Sequence, residues 1–353
     1  MKKIIIFVLT LFISMFAHAD MPQKLKNYFC TINKAELLII DSNYREAISR
    51  YEEAGMQLGH LYIKDRYNYA VACAIEQQYA KCDEQIKYIL SKGGKISTFQ
   101  NNNAFNSFFK TKQGKQLIKC SSWIKQTYNE TYQKKLDSLV SIDQKFRILP
   151  GGYTLYSDTI RLLDSLNVIE FNRLITIYGF PTEELIGVDS VRFNRPIYDL
   201  LIIHNRKGAK YRSFDFTQLM KTALDSGWLE LHTAADYVEM SNGISTWGIE
   251  ELRPLRCVYD SINMAACYGD QAIKPDYSHF PIGFSAMSSD AENNYNSKRF
   301  IYCLESVNEA RRKALFQLKD TRFDFTYSKL DVFVTSKKVE YDNMMKYVIF
   351  LSN

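Results

Sequence analysis

A self-similarity at a spacing of thirty-five residues most constrains the fold. Tyr44, Ala47, Tyr51 and Ala54 recur as Tyr79, Cys82, Ile86 and Ile89. In each copy, apolar or small residues fall at i, i+3, i+7 and i+10, one face of a helix. Each copy follows another amphipathic stretch, residues 34–40 in one case and 67–75 in the other. The pattern predicts two helix–turn–helix units within residues 22–125. Ala47, Ala54, Ala70 and Ala74 would let those helices pack closely. Two such units are fewer than the three usually needed to stand alone, so flanking helices or the rest of the chain must cap them.

The first nineteen residues carry an address. Lys2 and Lys3 precede an apolar run from Ile4 to Phe16, and Ala17-His18-Ala19 places small residues at the −3 and −1 positions of a cleavage site. This is the pattern of a secretory signal peptide cut after Ala19. The run is short for a membrane span, which needs about 20 apolar residues, and no second long apolar segment follows. A periplasmic or secreted protein is expected, with no integral membrane segment after cleavage. The formal charge of +6 falls to +4 with Lys2 and Lys3 removed. No dense basic stripe exists, which argues against nucleic acid as a partner.

Seven cysteines occur: Cys30, Cys73, Cys82, Cys120, Cys257, Cys267 and Cys303. An odd count leaves at least one unpaired, and no CxxC supports a redox motif or zinc ribbon. Most read as small buried hydrophobes. If a pair forms, Cys73 and Cys82 are the candidates, on successive helices.

A mature chain of this length exceeds one typical core. The expected division is 1–19 signal peptide, 20–125 helical repeats and 126–353 a larger α-helical domain. In the latter, helix resumes near Tyr128, and a Pro-Gly-Gly break at 150–152 precedes a long amphipathic helix over 156–178. Gly179 is placed as its C-cap, and Pro181 blocks continuation. Pro196 opens a segment running to His204, and helices fit 215–226 and 229–240, split at Gly227. Residues 285–299 are Ser/Asn-rich and read as an exposed loop, and 304–320 as a charged helix. Residues 332–335 and 347–351 look strand-like. The expected fold class is mainly α, with a minor β element near the C-terminus.

Residues 43–55 (NYREAISRYEEAG) and 67–94 resemble the tetratricopeptide repeat family, whose period is 34, although no proline ends the repeats. The segment at 96–119, with Phe105, Phe108, Phe109 and Leu117, resembles the capping stretch that follows such units; the alternative is a peptide-holding groove. Further on, DQKFR at 143–147, DSLN at 164–167, YGFPTEELIG at 178–187 and LLIIHN at 200–205 together resemble an uncharacterised bacterial family, DUF6624. Two pieces depart from that pattern: DYVEM at 236–240 and WGIE at 247–250. The resemblance implies no settled activity, and the departures put any site the family has in doubt here.

Asp143, Gln144, Arg147, Asp164, Asn167 and His204 form the candidate polar cluster. Histidine serves as acid or base near neutral pH, and a carboxylate can orient it. Arginine can hold an anionic group bidentately. The catalytic set is then His204, Asp143, Asp164 and Arg147, with Gln144, Asn167 and Trp247 as ligand-binding residues. The bland alternative makes Asp143 and Arg147 a surface i,i+4 ion pair and His204 a helix-end residue. Trp247, beside Gly248, reads as a loop residue able to stack on a ligand. His232 and Asp236 read as a helix-surface pair. No HExxH or other close ligand spacing supports a metal site, and no cofactor is implied. G-x-S-x-G, P-loop and G-x-G-x-x-G motifs are absent. Three functions remain: partner binding on the repeat face, a hydrolase-like site around His204, or a purely structural role. Oligomeric state is left open.

Overall fold

The computed structural model describes residues 21–188, 193, 196–205, 215–249, 252, 254–259, 282–325, 331–335, 337–345 and 348–350. The signal-peptide expectation falls on residues 1–20 and lies outside them, as do Cys267 and His279. The fold is mainly α. Two antiparallel helix pairs come first: α1 (Gln23–Ile40) with α2 (Tyr44–Leu58), and α3 (Ile63–Ile75) with α4 (Tyr79–Ser91). Asn43 caps α2 by accepting the Glu46 N–H, and Gly59 ends it in the left-handed conformation that only glycine adopts without penalty. The recurring residues Ala47, Tyr51, Ala54, Cys82, Ile86 and Ile89 are all buried.

Short helices follow: α5 (Ile96–Gln100), α6 (Asn106–Lys110) and α7 (Lys112–Cys120). Phe105, Phe108 and Leu117 from this stretch are buried in the core. The chain then forms α8 (Glu130–Gln144), α9 (Gly152–Tyr178), α10 (Glu183–Ile186), α11 (Asp199–His204), α12 (Thr217–Ser226) and α13 (Leu231–Asn242). Helix α9 starts four residues earlier than expected and is kinked at Tyr156, which is non-helical.

The minor sheet has four strands: β1 (Leu255–Tyr259), β2 (Ile282–Ser285), β3 (Asp331–Thr335) and β4 (Val348–Phe350), in the order β3-β1-β2-β4. β1 runs parallel to β3 and antiparallel to β2. Interleaved with these strands are α14 (Ser289–Tyr302), α15 (Val307–Lys319) and α16 (Lys338–Met345). Helix α14 corrects the loop expected at 285–299. Ser288 caps it by accepting the Ala291 N–H, Asp290 and Glu292 sit in the first turn, and Arg299 near its end is fully buried. Favourable charge at the helix N-terminus and a cap outweigh the Ser/Asn content.

One hydrophobic core runs from Leu25 through the repeats to Phe325. Helix α15 packs on α1. The C-terminal part of the chain packs against the repeats. Asn68 on α3 exchanges hydrogen bonds with the backbone of Asp324, and Asn102 donates to the Arg322 carbonyl. A buried charge network crosses the same junction. Glu36 on α1 accepts from Lys64 on α3 at 2.7 Å and from Lys313 on α15 at 2.6 Å. Glu305 meets Lys313, Arg299 and His232 at 3.5, 3.1 and 3.0 Å. His232 is thus buried against Glu305 rather than lying on a helix surface, and Asp236 is buried too.

Cys73 and Cys82, the candidates had a pair formed, are both free thiols, buried as small hydrophobes. Burial lifts Cys73 to about 12 and pushes Cys82 higher still. The disulfide joins Cys30 on α1 to Cys303 at the end of α14.

Candidate functional site

Helices α8, α9 and α11 converge to build the polar cluster. Asn129 caps α8 by accepting the Tyr132 N–H at 3.0 Å. The apolar stripe of α8, with Leu136 and Leu139, faces α9, and Asp143 lies on the same buried side one turn later. Asp164 and Asn167 lie on the buried side of α9 with Ile160, Val168 and Phe171. Asn167 donates to the Leu139 carbonyl at 3.3 Å, a brace between the two helices. His204 is the last residue of α11.

The cluster is ordered around Asp143, which is 1% exposed. His204 Nδ1 lies 2.8 Å from Asp143 Oδ2, and Gln144 donates to the same oxygen at 2.6 Å. An ionised carboxylate only accepts hydrogen bonds, so Nδ1 carries the proton and Nε2 holds a lone pair. Arg147 Nη1 sits 3.0 Å from Asp143 Oδ1 and donates to the Asp143 carbonyl at 2.5 Å. Arg147 Nη2 reaches both Asp164 oxygens at 2.7 Å, and Nε donates to the Tyr153 hydroxyl.

Electrostatics follow from burial. Desolvation raises the Asp164 carboxyl above its ordinary value, opposed by the Arg147 hydrogen bond and charge. Burial alone would lower Arg147, but the Asp164 hydrogen bond and both carboxylates lift it above the usual arginine value. Arg147 is therefore committed to two carboxylates. It is not placed to bind an anionic substrate, which is where the structure departs from the bidentate role expected of it. Gln144 and Asn167 are likewise engaged by protein groups.

The His204 side chain remains 19% exposed, and among the described residues Nε2 has no partner. Beside the cluster, Ile148, Leu149 and Tyr153 face solvent. The arrangement can orient one imidazole, fix its tautomer and stabilise the imidazolium that forms when Nε2 takes a proton.

Trp247 is not part of this cluster. It is buried, edge-on to Tyr302, and its indole nitrogen has no hydrogen-bond partner among the described residues. Its backbone is fixed by Glu239 on α13, which accepts the N–H groups of Trp247, Gly248 and Ile249. The stacking role expected of this tryptophan fails for that reason: the segment is irregular, but the carboxylate holds it inward. Residues 236–240 and 247–249 are thereby in direct contact.

Sequence reasoning missed the junction network. Glu36 and Lys313 were detectable only as charges within apolar stripes, Glu36 among Ile32, Ala35 and Ile39, and Lys313 among Ala310, Ala314 and Gln317. Among the described residues, no group of three or more His, Cys, Asp or Glu side chains is arranged to hold a metal ion. No described helix is long and apolar enough to cross a membrane.

No family model matches the chain, and neither a curated protein nor a solved structure matches it. The reading of the site rests on its geometry.

Proposed function

We propose that the protein is an extracytoplasmic hydrolase-like enzyme in which His204 acts as general base. The observation that carries this reading is the Asp143–His204 contact, with Arg147 pinning the carboxylate and Nε2 left open. In the proposed step, Nε2 takes a proton from water as the water oxygen attacks an ester carbonyl carbon; Asp143 stabilises the imidazolium, and as the tetrahedral intermediate breaks its acyl–O bond the departing alkoxide takes the proton back from Nε2, leaving acid and alcohol. The exposed Ile148, Leu149 and Tyr153 fit a substrate with an apolar portion. The Cys30–Cys303 disulfide supports an oxidising compartment.

The test is hydrolysis of p-nitrophenyl butyrate by the chain from Asp20 onward. His204→Ala should lower the rate by about 100-fold or more, the usual contribution of a positioned base, with the unfolding midpoint unchanged. Equal rates in wild type and variant would refute the reading.

A second reading keeps the repeats as a partner-binding element. It is favoured by Met56 on α2 and Trp123 after α7, each 79% exposed, since solvent-facing residues of this kind are over-represented at interfaces.

A further inference from the structure

A cleft lies where the α2–α3 connection meets the turns before α10 and between α12 and α13. It consists of an inner hollow of about 40 Å³ and an outer one of about 300 Å³ that share Tyr62, Glu183 and Trp228 as walls. Tyr62 latches the junction by donating its hydroxyl proton to the Gly227 carbonyl at 2.6 Å. Glycine suits this turn: its φ is +65°, and a Cβ would stand 2.6 Å from a Leu25 methyl. Phe180 stacks on the Trp228 indole with ring centres 5.1 Å apart, and Trp228 keeps 36% of its surface exposed. The inner hollow is otherwise largely apolar, walled by Pro181, Ile186 and Leu229.

Glu183 stands out among the carboxylates of this region. Glu184 has Lys92 at 2.6 Å, and Glu230 has Lys64 at 3.4 Å. Glu36 and Glu305 have the cations already described. Glu183 accepts the Ile63 N–H at 2.8 Å, yet among the described residues it forms no ion pair. A half-buried carboxyl without a cation, in a cleft with an indole wall, is an incomplete pair. An anion would meet Glu183, Glu184 and Glu230 together. A neutral ligand would supply no charge.

We propose that this cleft binds a small organic cation, an alkylammonium, with its ammonium on Glu183 and its carbons against Trp228 and Tyr62. The aromatic wall adds cation–π attraction to the ion pair. The site shares no residue with the His204 cluster and does not depend on it. Burial raises the empty-cleft Glu183 carboxyl well above the usual range, reinforced by Glu184 and Asp65 and opposed by the Ile63 N–H and Arg66. His60 and Lys24 face it from the outer hollow. The cation binds the ionised form, so affinity rises with pH as Glu183 loses its proton.

The experiment is calorimetric titration of the chain from Asp20 onward with n-butylammonium, with n-butanol as the neutral probe and butyrate as the anionic one. Saturable binding of n-butylammonium alone is expected. Glu183→Gln, which keeps an oxygen for the Ile63 N–H, should weaken it at least tenfold, and Trp228→Leu several-fold. No saturable binding, equal binding of n-butanol, or an unchanged affinity in Glu183→Gln would each overturn the proposal. Should Glu183→Gln fail to fold, the butanol comparison and Trp228→Leu decide it.

Discussion

Replacing Arg147 by methionine tests whether the cluster is a single buried unit. The wild-type guanidinium faces two carboxylates, Asp143 and Asp164, which are 1% and 3% exposed. Methionine keeps much of the stem but leaves both carboxylates without their cation. Breaking a buried pair from one side costs about 3–5 kcal/mol, because the remaining charge stays desolvated. A solvent-exposed pair would cost about 1 kcal/mol or less. The distinction is large enough to read from urea unfolding followed by circular dichroism. The pH dependence has a definite sign. Arg147 holds the Asp164 carboxyl down against burial, so its removal raises that carboxyl further. A raised carboxyl favours the folded state at low pH and loses that contribution as pH rises through its folded value. The variant's deficit should therefore be full at neutral pH and shrink as the solution is acidified. Adding Asp164→Asn to the variant should expose a coupling on the order of 2 kcal/mol. A loss below about 1 kcal/mol at neutral pH, or one that grows on acidification, would refute the picture of a dry three-way clamp.

Other outcomes follow from the same coordinates. Reducing the Cys30–Cys303 disulfide, which closes a sequence separation of 273 residues, should lower stability by about 5 kcal/mol in the chain-entropy limit, read as a shift of the urea midpoint with reductant. Gly114→Ala would place a Cβ 2.3 Å from the Phe108 carbonyl oxygen and 2.7 Å from Phe109 Cα. Both neighbours are backbone, so a loss of about 1–3 kcal/mol is expected in the same assay. Burial lifts the Asp65 carboxyl to about 6 despite Lys64. Its contribution is present in acid and lost as pH rises through that value, so the stability difference between wild type and Asp65→Asn should change by up to about 3 kcal/mol between pH 4 and 7. Amino-terminal sequencing of the exported protein should begin at Asp20.

Much of the helix order was legible because punctuation and periodicity agreed. Gly179 and Gly227 end α9 and α12 where the apolar pattern stops, and the thirty-five-residue spacing places α2 and α4 correctly. The residues of the polar cluster were singled out by the order and spacing of the pieces at 143–147, 164–167 and 200–205, not by periodicity. Their hydrogen bonds were not legible. Nothing in the spacing shows that Arg147 would be shared between Asp143 and Asp164 rather than left for a ligand. Composition misled at α14, where a Ser cap and two early acids count for more than the asparagines that follow. It misled again at Trp247, because a neighbouring glycine says that the backbone turns but not which way the ring faces. The junction network was out of reach for a simpler reason: Glu36 and Lys313 lie in opposite ends of the chain, and only folding brings them together.

That separation in sequence bears on how the protein can be made. Helix α1 cannot give Glu36 its second cation, Lys313, or close Cys30 until residues 303–313 have been synthesised. The repeats remain open until residues 322–324 have been synthesised, with Asn68 and Asn102 waiting for backbone partners there. High contact order of this kind slows folding. Residues 303–324 are therefore the segment that locks the first helices in place.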